Sequence, residues 1–239
     1  MIGSLMTQIY EQFGSLQQHF NLKKPTLVSS NDLYKRQDQN SVWPQIKIPY
    51  DGEYSFEVFK YDWADKKLTS QNDMNVTIYS DATYNRVLMM TVKQPPHTTH
   101  LQREYDYWDF NARKQIKYRP NDARCYNFDI KGEQIFNLKN FIDLVTTPEG
   151  EITKYFGVQT LRWEEDQVHK KQFYTFRIDH NWFGQEVSIN IYFDFYTKDL
   201  AWIEVSKPDA YVFQLKNGIL EREFTDEDYK EVLNNCPIK

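Results

Sequence analysis

The side chains that could hold a metal or move a proton fall into a few short groups. His97 and His100 sit three apart in "PPHTTHL", a spacing that puts two imidazoles on one metal if the segment is helical. Pro95 and Pro96 break a helix just before them, so the segment reads as a loop with two solvent-facing histidines. Glu164, Glu165 and Asp166 offer hard oxygen ligands for calcium, but not at the spacing of an EF-hand loop, and a solvated turn between strands accounts for them. His169 and His180 have no serine, cysteine or acidic partner recognisable by motif, which leaves them as structural or exposed histidines. Asn75, in "NVT", is a formal glycosylation acceptor that has meaning only on a secretory route.

Cys125 and Cys236 are the only cysteines. Two are too few for a disulfide framework and too isolated for a zinc site, so they pair once or stay reduced. A nucleophile elbow, a Walker loop, a dinucleotide fingerprint and a zincin motif are all absent from the sequence. Scattered acid pairs do not nominate a glycosidase, because that chemistry needs two carboxylates facing one pocket. No catalytic residue and no cofactor is assigned, and the chain reads as a non-enzyme.

The elements that would carry these residues are mostly strands. Of the 239 residues, 40% are hydrophobic and 16% aromatic, enough for a sizeable core in one domain. In "EYSFEVF", Tyr54, Phe56 and Val58 fall on one side and Glu53, Ser55 and Glu57 on the other, as in a half-buried strand. The same alternation returns in "NVTIY", "RVLMMTV", "CYNFDI", "QFYTFRI", "VSINIYFDF" and "AYVFQL", separated by turn-like pairs such as Asp51-Gly52 and Asn217-Gly218. About eleven strands result, spaced for an antiparallel sandwich or an open barrel.

Three segments depart from that period. Ile2, Leu5, Met6, Ile9, Phe13, Leu16 and Phe20 recur every three or four residues and predict an N-terminal amphipathic helix. A polar connector follows it, so residues 1–45 are read apart from a single β-rich domain over residues 46–239. Leu138, Phe141, Ile142 and Val145 predict a helix in mid-chain, and Thr225 followed by acidic residues predicts the N-cap of a short C-terminal one.

Residues 105–130, "YDYWDFNARKQIKYRPNDARCYNFDI", crowd seven aromatic rings among charges. Turns at Asn111-Ala112-Arg113-Lys114 and Pro120-Asn121-Asp122 make the stretch a three-strand meander whose rings are strand formers and core rather than a stacking platform. The net charge is −5 with signs interleaved along the chain, which argues against nucleic acid as a partner. No apolar run approaches the roughly 18 to 20 residues of a membrane span, so the chain reads as soluble. The N-terminus shows no basic region before an apolar core, so no signal peptide is read there.

The order of features resembles the ependymin-related proteins. A strand pair leads to the Cys-containing "KYRPNDARCYNFDI", then to the helical "NLKNFIDLV", the strand "ITKYFGVQTLRW", the aromatic "QFYTFRIDH" and the hairpin "VSINIYFDFYTKDLAWIEV". That family is in turn similar in fold to the bacterial lipoprotein carriers of the LolA and LolB type. The resemblance implies a strongly curved antiparallel sheet, an open or incomplete barrel whose concave face holds a lipid or other hydrophobic ligand. It also implies a secreted or lysosomal setting, frequent homodimers and calcium binding. The family's paired cysteines are reduced here to Cys125 and Cys236, and its Cys-Pro strand reads "HNWFGQEVS".

On this basis the chain is expected to be a non-enzymatic binding protein for a lipid or another hydrophobic ligand. One face of each strand would line the interior: Tyr54, Phe56 and Val58, then Tyr126 and Phe128, then Ile189, Ile191, Phe193 and Phe195. The alternative is a scaffold subunit without a ligand, its barrel filled by its own aromatics and docked on a protein partner through the N-terminal helix.

Overall fold

The computed structural model describes residues 43–62, 64–95, 97–131, 136–147, 153–164, 170–182, 185–207 and 210–238. The expected N-terminal helix, Glu165, Asp166 and His169 lie outside these residues, as does the side chain of His180.

The first meander comprises β1 (Asp51–Asp62), β2 (Lys67–Asp81), β3 (Arg86–Lys93), β4 (Gln102–Asp109), β5 (Lys114–Arg119) and β6 (Arg124–Asp129). Helix α1 (Leu138–Thr146) follows, and then a second meander of β7 (Thr153–Gln159), β8 (Phe173–Trp182), β9 (Gln185–Asp194), β10 (Leu200–Lys207) and β11 (Tyr211–Glu221). Helix α2 (Asp226–Asn235) closes the chain. Among the described residues all eleven strands form one antiparallel sheet in the order β6-β5-β4-β3-β2-β1-β11-β10-β9-β8-β7. The β1–β11 ladder joins the two meanders, while β6 and β7 stand at opposite ends and leave the sheet unclosed.

The alternation read in β1 is the alternation observed, with Tyr54, Phe56 and Val58 buried between half-buried neighbours. The ladders extend that face across the sheet: Phe56 pairs with Val76 and Leu215, Val58 with Phe213, and Phe213 with Ile203. Residues directly opposite one another share a face, so these pairs define a single apolar surface.

That surface is the concave one. The ring of Phe136, just ahead of α1, lies 4.6 Å from Phe110 at the end of β4. At the other end of α1, Trp43 Nε1 donates to the Thr146 carbonyl, and its ring packs 5.0 Å from Phe176 of β8. From β4 to β8 is seven strand spacings in the sheet order, about 34 Å laid flat. A helix of nine residues spans only about 13 Å, so the sheet must curl around it. Trp43, read as part of the polar connector, therefore packs against the core, next to Ile46, which is buried in it at the start of the β-rich domain.

Helix α2 packs on the convex face. Its Tyr229 and Val232 are fully buried with Leu88, Tyr107 and Ile116. It begins at Thr225, the N-cap the sequence predicts, with a capping box in which the Asp228 carboxylate accepts from the Thr225 backbone N–H at 2.8 Å. Arg86 anchors it: the guanidinium donates to Asp81 at 2.9 and 3.1 Å and to Asp226 at 2.9 Å, and it lies 4.4 Å from the Tyr229 ring. Asp81 also accepts from the Tyr229 hydroxyl at 3.0 Å.

Two expected turns are corrected. Asp51-Gly52 opens β1 instead of preceding it, Gly52 pairing with Ser80 and Glu221. Asn217-Gly218 does not separate two strands but forms a bulge within β11, where the register with β1 jumps from Tyr54–Ile219 to Ser55–Lys216. Both residues have positive φ, 60° and 73°. The local turn chemistry was read correctly, yet continued pairing on either side makes it a bulge.

Candidate binding face

The concave face has a covered part and an open part. In the covered part Tyr54, Phe56 and Val58 meet Ile189, Ile191 and Phe193 in one cluster, joined by Leu138, Ile142 and Val145 of α1. Asn85 fixes the start of that helix: its Nδ2 donates to the Phe136 carbonyl at 2.6 Å and its Oδ1 accepts from the Leu138 N–H at 2.9 Å. Asn85 takes the left-handed conformation, φ 59°, which asparagine tolerates better than most residues. Asn137 caps the helix by accepting from the Asn140 N–H at 2.9 Å.

Towards β6 the same face changes character. The ladders place Asp106 beside Met89, Lys117 beside Asp106 and Tyr126 beside Lys117, while Phe128 stands beside Gln115 and Arg124 beside Arg119. Gln115 and Asp106 are buried, with Gln115 Nε2 donating to Asp106 at 2.8 Å. Beyond them Tyr126 and Phe128 are 43% and 44% exposed, against 7%, 3% and 0% for Tyr54, Phe56 and Val58. The two rings stack with centroids 6.4 Å apart and planes 18° apart. Ile130, next on that face, packs against the main core cluster. An exposed apolar strip thus runs from the sheet edge to the covered core.

Cations border the strip. Lys117 Nζ sits 5.6 Å from the centre of the Phe128 ring, within reach of a cation–π attraction. Lys93 and Arg119 share the Glu104 carboxylate, at 3.0 and 3.5 Å. At the rim a cleft of about 250 Å³ is lined by Lys93, Glu104, Arg119 and Asn121 among others. Lys114 holds the exposed Asp129 carboxyl below its ordinary range by donating to it at 2.7 Å.

Cys125, on the opposite face of β6, is joined to Cys236 by a disulfide across 111 residues, with Cα atoms 5.6 Å apart. The bond ties the edge strand to the end of α2. Of the two pairing states the sequence left open, the structure takes the bonded one.

The remaining candidate residues fall elsewhere. Phe195 lies in the turn after β9, half-buried, its ring 5.1 Å from Tyr174. His97 and His100 are exposed in a loop. Glu164 sits in a short 3-10 turn, its carboxyl pushed up by burial. Among the described residues no group of three His, Cys, Asp or Glu could hold a metal ion, and no helix is long and apolar enough to cross a membrane. Asn75 is exposed on β2.

Besides the Arg86–Asp81–Tyr229 anchor, a second polar centre is not visible in the sequence. Glu204 of β10, 1% exposed, accepts from Asn190 at 3.0 Å and the Tyr192 hydroxyl at 2.7 Å, and faces the Arg162 guanidinium at 3.1 Å. Trp163, next to Arg162, packs on Tyr192 and Trp202. A buried carboxylate met by three partners is a latch that seats the Arg162–Glu164 turn on the convex face.

No family model matches this chain, and no curated protein matches it.

Proposed function

We propose that this chain is a non-catalytic binding protein that holds a lipid or other hydrophobic ligand on the concave face of its sheet. The observation that carries the reading is the exposed Tyr126–Phe128 pair, on the same face as the buried core and leading into it through Ile130. Large rings are retained at a water-exposed edge only at a cost in solubility, and an apolar strip with a polar rim is the usual form of a contact site. The apolar part of the ligand lies along the two rings, and its polar end reaches Lys117 and Arg124. The resemblance to the ependymin-related and LolA-type proteins supports the same reading.

Displacement of an environment-sensitive fluorescent fatty acid tests it. The full-length protein should enhance the probe's emission saturably, and Y126S/F128S should lose most of that enhancement while keeping the thermal transition of the wild type. Equal enhancement by both proteins would remove the strip from the ligand's path. No enhancement by the wild type with any of several lipid classes would favour the scaffold reading.

A further inference from the structure

Resting on the lipid reading above, we infer that the ligand is an anionic amphiphile whose oxyanion head, a carboxylate or a phosphate, is held by Lys117 and Arg124 with Arg119 beside them. The ladders from β3 to β6 set three rows of side chains across the concave face. The outer row is Thr91, Glu104, Arg119 and Arg124, the middle row Met89, Asp106, Lys117 and Tyr126, and the inner row Val87, Trp108, Gln115 and Phe128. The inner row lies towards Phe110 and Phe136, where α1 begins. On all four strands the side chains lose charge or polarity in that direction. On β6 the order is Arg124, Tyr126, Phe128 and then Ile130, which packs on the core, a run of about 20 Å. Cation, ring and aliphatic core in sequence match a molecule with a charged head and a hydrocarbon tail.

The sign of that head follows from where the acids are. Both carboxylates of the three rows stand on β4, and both are engaged: Glu104 faces Lys93 and Arg119 at 3.0 and 3.5 Å, and the buried Asp106 accepts from Gln115 at 2.8 Å. On β5 and β6 the concave face carries Arg119, Lys117 and Arg124 and no acid. Asp129 belongs to the convex face, where Lys114 holds it. The open end of the strip is therefore positive.

Those cations are also poorly matched within the chain. Arg119 and Arg124 stand directly opposite each other in the ladder, an arrangement that costs stability unless a negative charge lies between them. The Arg124 side chain is 59% exposed, and its ion-pair partner Asp122 is 3.8 Å away, beyond hydrogen-bond range. Lys117 is half-buried and makes no ion pair among the described residues, only its contact with the Phe128 ring. A ligand oxyanion supplies the missing charge at the point where the apolar strip begins. A guanidinium presents two parallel donors to a carboxylate or phosphate, and the lysine adds a point charge. A neutral head gains only hydrogen bonds there, and a cationic head is repelled.

Isothermal titration calorimetry of the full-length protein with laurate, dodecyl phosphate and the neutral monolaurin, which carry tails of equal length, tests the inference. Both anions should bind at least about tenfold more tightly than monolaurin at low salt, and the advantage should shrink as salt rises. K117Q/R124Q removes two cations and no packed apolar group, so it should keep the wild-type thermal transition and the wild-type affinity for monolaurin while losing most of the preference. R124Q alone should lose part of it. Inorganic phosphate at millimolar concentration should leave dodecyl phosphate bound, because the tail supplies much of the affinity. Equal binding of all three lipids by the wild type would overturn the inference and leave the lipid reading standing. So would a preference that survives in K117Q/R124Q, or phosphate that competes as well as dodecyl phosphate. Binding of none of the three would remove the lipid reading and the anionic head with it.

Discussion

The concave face uses one sequence pattern twice, with opposite results. Tyr54, Phe56 and Val58 alternate with polar residues in β1, and Tyr126, Phe128 and Ile130 do so at β6; the ladders put both sets on the same side of the sheet. The first set is sealed under α1 and Trp43, while the two rings of the second remain almost half exposed. Alternation dictates which face a side chain takes. What covers that face depends on where a helix of limited length can reach. α1 spans from the end of β4 to β8 and stops short of the β6 edge, so rings of the same kind serve as core in one place and as contact surface in the other.

Truncating a ring in each region separates the two roles. Phe176, 1% exposed beneath Trp43, should lose about 3–5 kcal/mol on change to Ala, whereas F128A should leave urea unfolding within about 0.5 kcal/mol of wild type. A large loss at Phe128 would mean that the open strip is core after all.

The open region depends on its disulfide more than the covered region does. Reduction, or C125A/C236A, should lower stability by about 2–4 kcal/mol, and hydrogen exchange should rise first in β5, β6 and α2. Uniform loosening across the sheet would erase that distinction.

The covered region depends on Asn85. N85A strips the partner from the Leu138 N–H and from the Phe136 carbonyl and should cost about 2 kcal/mol, with proteolytic cleavage appearing near α1. N85G restores only the left-handed backbone and should remain well below wild type.

A smaller effect concerns the support beneath the open strip. Burial pushes the Tyr107 phenol from 10.0 up to about 12. Because the folded state holds this proton more tightly than the unfolded one, its contribution is complete below pH 10 and is lost as pH rises towards 12. Y107F should flatten the fall in unfolding free energy across that window, and an unchanged slope would assign the alkaline loss to other groups.

Much of the architecture was legible because it is local. Strand alternation, the helix around Leu138–Val145 and the Thr225 cap each depend on residues a few positions apart, and each is found where the spacing put it. The β1–β11 ladder was not legible, since pairing Val58 with Phe213 joins segments far apart in the chain with no signal in either alone. The Arg86–Asp81–Tyr229 anchor and the Glu204 latch failed for the same reason: their partners converge only after the sheet has formed. Of the nine proposed lining residues, six share the covered cluster. Tyr126 and Phe128 lie at the edge and Phe195 in a turn, because a shared face says nothing of distance from the helix that covers it.

The most direct measurement of the central claim is native mass spectrometry of the wild type beside Y126S/F128S, each purified from the same host and then exposed to one lipid mixture. The account predicts a discrete added mass on the wild type that organic extraction removes, and its absence from the variant. A bare wild-type chain after that exposure, or the same adduct on both proteins, would contradict it.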